Sequence, residues 1–434
     1  MISKTRQRIS WASKLFLLIT LLWGLTGIIS LVSAQEKVTF KYMFWTPMYQ
    51  PYYEKAFKVF EEEHPNIKIE LRSAPYGEYW HKMQALLAAG NPPEVYEMSI
   101  AYVEQFAKAG GLMDLQPFVD RDLNIKDYYA GVLNQLRFFP KKEGHLYAFP
   151  YQWVASVLFY NKDLFDKEGL SYPNDNWDYN KLLDVAKKLS KDTNGDGKID
   201  QWGFYSNTSH TFLDSLIKAY GGKVINEKYT KAMLTDPVAI EAIKFAVNMI
   251  QKYKVAPPQP TYEALLASGG EMFRTGRVAM TIDGSYMMDS FKAAPFSWDI
   301  SMVPKGPKKR VIYGGPDSVV ISANAKHPQE AWEVVKFITT RRPLDTYVLG
   351  GVPVIKKITQ SKEWRSRYSF LKHLDSLLKS QEYMEGADFG PGWFEWRISV
   401  MNSELTPAFL GQKSVEAAAK DATEAINEVL ARYH

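Results

Sequence analysis

Val38-Thr39-Phe40-Lys41-Tyr42-Met43-Phe44, then Ile67-Lys68-Ile69-Glu70-Leu71, with Ala56, Val59 and Phe60 between them, decides the fold class. Val38, Phe40, Tyr42 and Phe44 recur at every second position, the spacing of a strand with one buried face. Ala56, Val59 and Phe60 share one face of a helix over 52–63, which His64-Pro65-Asn66 stops. Ile67, Ile69 and Leu71 alternate again as a second strand. Strand, helix and strand within about 35 residues make a βαβ unit, and hence a mainly parallel sheet.

Outward from this unit the pattern continues. A helix is expected over 77–89, ending at Gly90-Asn91-Pro92, then a short strand over 94–98 and a helix closing at Gly110-Gly111. Residues 154–160 are apolar and strand-like, and long helices dominate afterwards. One starts at Asp236-Pro237, an N-cap followed by Pro at the first helical position, with Ile243, Val247 and Ile250 on one face. Residues 278–282 and 319–321 read as strands. The last helix begins near Ser414 and carries Val415, Ala418, Ala422, Ile426 and Val429 on one side. The cluster Pro257-Pro258-Gln259-Pro260 is too short for a tether and reads as an ordered loop. The chain is α/β, without internal repeats.

The N-terminus carries an export signal. Lys4, Arg6, Arg8 and Lys14 form a basic region, an apolar run covers 15–32, and Val32-Ser33-Ala34 supplies the small residues of a cleavage site. An uncleaved anchor is the alternative, since the run is near the lower limit of about 17 residues for a span. Gly24, Thr26, Gly27 and Ser30 weaken that reading. Cleavage after Ala34 is expected, with the mature protein in the periplasm. Loss of the four basic residues lowers Lys and Arg from 53 to 49, against 48 Asp and Glu. So nearly neutral a chain argues against a nucleic-acid partner, which would need a clustered basic face. There is no Cys, so packed cores rather than disulfides must hold an exported chain of this size, and a lipoprotein anchor is excluded. About 400 mature residues exceed what one core supports, which implies two domains.

The sharpest local motif is Asp192-Thr193-Asn194-Gly195-Asp196-Gly197-Lys198-Ile199-Asp200. Asp192, Asn194, Asp196 and Asp200 occupy the oxygen-donor positions of a calcium loop, with Lys198 contributing its carbonyl. Gly203 stands where a bidentate Glu is expected. The loop therefore reads either as a structural calcium site or as Asx and Gly turns that need no metal. Catalytic signatures are missing: there is no nucleophile elbow, no zinc-protease helix motif and no phosphate loop. Asp283 and Glu395 could form a glycosidase pair only if they came within about 5 to 10 Å; separate carboxylates are the expectation.

Several phrases in order carry a family likeness. They are Gly90-Asn91-Pro92-Pro93-Glu94-Val95 through Gly110-Gly111-Leu112, Phe149-Pro150-Tyr151 through Tyr160-Asn161-Lys162-Asp163, and Phe273-Arg274-Thr275-Gly276 with Asp283-Gly284-Ser285-Tyr286. Tyr313-Gly314-Gly315, Ala331-Trp332-Glu333 and Gly392-Trp393 continue the series. Here the chain resembles the extracellular solute-binding proteins of sugar ABC transporters, the group that includes maltose-binding protein. The resemblance implies a two-lobed, type II periplasmic binding protein-like fold with discontinuous, hinge-linked lobes. One lobe would comprise 35–150 and 315–355, the other 151–314 and 356–434. Crossings would lie near 150–156, 311–319 and 353–358. It implies a protein that closes over a carbohydrate and docks on permease subunits in the membrane, with no reaction catalysed; a monomer is expected because the sequence offers no assembly helix or large exposed apolar stripe.

A sugar offers apolar faces and a rim of hydroxyls, so its site needs aromatic platforms and a few placed polar groups. From the family's placement of such residues at strand ends and hinges, the candidates are Trp45, Thr46, Met98, Ser99, Gln152, Trp153, Asp283, Tyr286, Asp317, Trp393 and Arg397. Gly314 and Gly315 join them because glycine lets backbone approach a ligand. Trp393 and Trp45 are the expected stacking rings. The rivals are a receptor for a polyol, sugar phosphate or osmolyte, and a secreted carbohydrate-active enzyme.

Overall fold

The βαβ unit forms as its alternation predicts, but the sheet is mixed rather than mainly parallel, because the later strands all pair antiparallel. Strands β1 (Val38–Phe44) and β2 (Ile67–Ser73) run parallel, with Val38 opposite Ile67 and Phe44 opposite Ser73. Helix Gln50–Glu63 joins them and buries Tyr53, Ala56, Phe57 and Phe60. Strand β3 (Val95–Ser99) follows helix Tyr76–Ala88 and lies parallel on the other side of β1. The computed structural model describes residues 37–258, 269–341, 351–385, 388–390 and 392–433. The export signal lies outside them, as do Gln259 and Pro260 of the proline cluster.

A small hairpin, β4 (Arg137–Phe138) with β5 (His145–Leu146), precedes the strand that organises the molecule. That strand, β6 (Phe149–Asn161), is buried at every position except the half-buried Val154. Its apolar run suits burial on both faces. Residues up to Ala155 pair antiparallel with β9 (Gly314–Ile321), which continues to β3; with β10 (Val352–Pro353) at the edge, this gives one sheet in the order β10-β6-β9-β3-β1-β2. From Ser156 onward the same strand pairs instead with β7 (Met280–Gly284) and β8 (Trp298–Ser301). Strand β10 (Val352–Pro353) closes the edge of the first sheet, opposite Trp153 and Gln152.

One strand thus serves two sheets, and the change falls between Ala155 and Ser156. The chain returns at Tyr313, whose carbonyl accepts from the Ser156 amide at 2.7 Å, and enters β9 at Gly314. A Cβ at Gly314 would collide with the Val154 carbonyl, so the close approach of β9 to β6 at this passage requires glycine. The third crossing comes later in the chain than 353–358. Thr359 still bonds Tyr129 of the first half, Oγ1 to Oη at 2.6 Å, whereas Tyr368 lies under Lys292 and His373 donates its amide to Asp299 of β8. The two-residue strand β10 holds this segment on the first sheet for longer than its sequence suggests.

Helices surround the second sheet. Helix Val415–Ala431 is capped by the Ser414 hydroxyl and packs on Pro237–Gln251 and Asn402–Phe409. Its buried Val415, Ala418, Ala422, Ile426 and Val429 are the face read from the sequence.

Candidate ligand-binding cleft

Where β6 changes sheets, a cavity of about 570 Å³ opens. Its floor is a row across three strands. Ser99 of β3 is directly opposite Asp317 of β9, which is directly opposite Gln152 of β6. Residues so paired face the same side of a sheet. The Gln152 amide nitrogen donates to Asp317 Oδ2 at 2.9 Å, which fixes which end of the amide faces the carboxylate. Gly314, Gly315 and Pro316 continue the floor.

One wall comes from the first half. The chain leaving β1 turns through Trp45 and Thr46 to Tyr49, all half-buried. The Trp45 ring stands edge-on to Tyr79, 5.6 Å between centroids, and is tilted against Trp80 at 5.9 Å. The opposite wall carries His210, Thr211, Tyr286, Tyr313 and Phe389. His210 opens the π-helical turn His210–Asp214 and lies 4.6 Å from the Tyr313 ring. Burial, and then the Arg397 charge, push its imidazole down to about 3, so the ring is neutral at any physiological pH. A neutral imidazole offers one donor and one acceptor to a ligand.

Of the expected ligand residues, Trp45, Thr46, Ser99, Gln152, Tyr286, Gly314, Gly315 and Asp317 line this cavity together. The others do not. Met98 and Trp153 are fully buried, because they alternate to the opposite face from Ser99 and Gln152. Trp153 packs edge-on against Tyr129 instead. Trp393 is only 5% exposed and lies behind Phe389, 4.9 Å between ring centroids. It buttresses the wall, and Phe389 presents the ring. Asp283 stands back from the cavity, where its Oδ1 accepts from the Tyr286 hydroxyl at 3.1 Å and from the Gly284 amide at 2.7 Å. Burial raises its carboxyl above the usual range.

Arg397 requires the largest correction. It is completely buried, and its guanidinium donates to both Asp214 oxygens, to Asn402 Oδ1 and to the Thr208 carbonyl. A buried cation is tolerable only when so saturated. It therefore ties the turn at His210–Asp214 to the π-helical segment Phe394–Met401 and does not line the cavity. The wall residues absent from the sequence reading include Tyr49, His210, Thr211, Tyr313 and Phe389. Tyr313 precedes the Gly314-Gly315 pair and carried a readable signal; His210 carried none.

The 192–200 loop lies apart from the cleft and is exposed. Asp192 accepts from the Gly195 and Gly197 amides at 2.7 Å each, Asn194 from Asp196 at 2.9 Å, and Asp196 from Lys198 at 2.8 Å. Asp200 accepts from the Thr193 amide and hydroxyl. These are successive Asx turns, with positive φ at Gly195 and Gly197. Among the described residues no three His, Cys, Asp or Glu side chains converge as a metal set.

Two sheets sharing one strand, with a polar floor and aromatic walls at the passage between them, define a two-lobed solute-capturing protein. The chain belongs to the bacterial extracellular solute-binding protein family, whose model matches residues 45–342. It is similar to a binding protein of Brucella abortus, 26% identical over 394 residues covering 88% of this chain and 90% of the relative. It is also similar to the maltotriose-binding protein of Pyrococcus abyssi, 24% identical, covering 74% and 68% respectively. Among solved structures, the ABC substrate-binding protein of Listeria monocytogenes in complex with cycloalternan superposes with a TM-score of 0.75. That match is 23% identical and covers 91% of this chain and all of the other.

Proposed function

We propose that this chain is the sugar-capturing receptor of an ABC importer: exported, released after Ala34, monomeric, and closing over a neutral sugar or short oligosaccharide before docking on a membrane permease. The observation that carries this reading is the floor of Ser99, Asp317 and Gln152 set between Trp45 and the rings of Tyr286, Tyr313 and Phe389. Carboxylate, amide and hydroxyl groups match sugar hydroxyls, while the rings match the apolar faces of a pyranose.

A second recess of about 460 Å³ shares Ile100 and Phe389 with the cleft, giving room for a ligand longer than one ring. Three of its four lysines are already engaged, and the fourth, Lys142, is exposed. Lys141 pairs with Glu104, Lys218 with Asp388 at 2.9 Å, and Lys309 with Glu385. An anionic sugar would have to displace these carboxylates, so a neutral ligand fits best. No reaction is assigned: neither Asp283 nor Glu395, the one carboxylate pair read from the sequence, lines the cavity.

The test is a thermal-shift and calorimetric screen of the mature protein, 35–434, against neutral mono- to tetrasaccharides. A ligand at about 100 times its dissociation constant adds about 2.7 kcal/mol of stability. A shift confined to one sugar class supports the reading. A folded protein that responds to no sugar but to a polyol or osmolyte overturns it in favour of a non-sugar solute.

A further inference from the structure

We infer that Glu97 is a proton-linked positioning residue of the cleft: as a carboxylate it holds the main chain at Trp45 and faces Asp317, so that ligand affinity rises when it ionises. The inference rests on the cleft being the ligand site.

Glu97 lies on β3 two residues before Ser99, hence on the same face of the strand and one row behind the cleft floor. It is 1% exposed. Three donors from three elements converge on its carboxylate. The Tyr53 hydroxyl of helix Gln50–Glu63 donates to Oε1. The Tyr151 hydroxyl of β6 donates to the same oxygen at 3.0 Å, and the Trp45 amide, just past β1, donates to Oε2 at 3.3 Å. From the fourth side, Tyr79 of helix Tyr76–Ala88 donates to the Glu97 main-chain carbonyl at 2.6 Å, and its ring supports Trp45 edge-on. The charged group facing Glu97 is Asp317 of β9; the other titratable groups around it are the Tyr53, Tyr79 and Tyr151 hydroxyls. Two of the cleft's ligand-facing residues, Trp45 and Asp317, thus answer to one buried acid.

An acceptor-only carboxylate suits an environment of donors. A protonated carboxyl donates to one of the Tyr hydroxyls, which can turn to accept, and is a weaker acceptor itself, so the Trp45 amide, already the longest of the three bonds, loses the charge that holds it. Burial is the largest cause of the raised Glu97 pKa, with Asp317 adding to it, and together they bring the group to about 7 against the opposition of the Tyr and amide donors. An extracytoplasmic receptor meets the pH of its surroundings, and this acid changes state within that range.

The experiment follows the Trp45 backbone amide by 15N NMR in the mature protein without ligand, across neutral pH. One inflection near 7 is expected in wild type and none in Glu97→Gln. Tyr151→Phe, which removes a donor to the charged form, should move the inflection to higher pH, and Asp317→Asn to lower pH. A purely structural Glu97 would produce neither displacement. In a second arm, whichever of glucose, maltose and maltotriose binds is titrated on both sides of neutrality. Wild type should bind about fivefold tighter on the alkaline side, the low end of coupling between linked sites, and Glu97→Gln equally on both. A Trp45 amide that does not titrate, or an inflection that persists in Glu97→Gln, overturns the inference. So does equal wild-type affinity on the two sides. A titrating amide in a protein that binds no sugar upholds the positioning of Trp45 and overturns the sugar reading instead.

Discussion

Replacing Asp214 by Asn removes one charge from a pair buried behind the cleft wall. Arg397 has no exposed side chain and Asp214 keeps only 5%. Asn preserves the shape and one acceptor oxygen, but the guanidinium is left charged with only neutral partners, Asn402 and the Thr208 carbonyl. Breaking such a pair costs about 3–5 kcal/mol, because an uncompensated charge stays in the interior. Arg397→Met with Asp214→Leu removes both charges together. Its remaining cost is the lost bonds to Asn402 and Thr208, about 1–3 kcal/mol for each acceptor left without a partner. The gain from removing the desolvation of two ions opposes that cost, so the double variant should be more stable than Asp214→Asn. The assay is equilibrium urea unfolding of wild type, both single variants and the double variant, with the m-values compared to check that all unfold alike. Sugar affinity, measured well below the midpoint, should change little in the double variant. The reasoning fails if Asp214→Asn costs less than about 1 kcal/mol, the range of an exposed pair. It fails also if Arg397→Met abolishes sugar binding at unchanged stability, since the guanidinium would then have to reach the ligand.

Trp45→Ala and Trp393→Ala should part company: the first weakens sugar binding by about 1 kcal/mol or more, while the second, in a packed site, lowers stability by about 3–5 kcal/mol. Calorimetry paired with unfolding separates them, and the opposite assignment would return Trp393 to the cleft surface. Glu97→Gln should also change how stability depends on pH. The folded-state pKa of about 7 stands above the ordinary 4.5, so the folded protein binds more protons between these values and loses stability as pH rises through that window. The penalty is complete above about 7 and amounts to about 3 kcal/mol. Relative to wild type the Gln variant should therefore gain stability from acid to neutral pH, and parallel profiles would contradict the shift. For the 192–200 loop, calcium should raise the melting temperature by drawing in the side chains of Asp192, Asn194, Asp196 and Asp200. Identical melts with calcium and with chelator would assign the loop to its Asx turns alone.

The cleft was legible where chemistry coincides with strand ends. Trp45 and Thr46 follow β1, Ser99 ends β3, and Gly314 with Gly315 opens β9, so a residue type and a chain position together identified them. It was illegible where neighbours decide. Gln152 and Trp153 are adjacent and equally plausible in sequence, yet the pleat sends one to the cavity and the other to Tyr129. Arg397 looked like a ligand-binding cation because nothing in the chain announces that Asp214, 183 residues away, would bury it. His210 looked like any of the seven histidines until the π-helical turn placed it beside Tyr313.

By itself the sequence determined the α/β class, most of the strands and several of the longer helices, since these follow from periodicities and punctuation within short stretches of chain. It also carried the family likeness. Only the tertiary structure decided that β6 serves two sheets, that Ser99, Asp317 and Gln152 form one floor, and that Glu97 lies beneath them. These depend on register between strands far apart in the chain. A shift of one residue in that register turns every side chain to the other face.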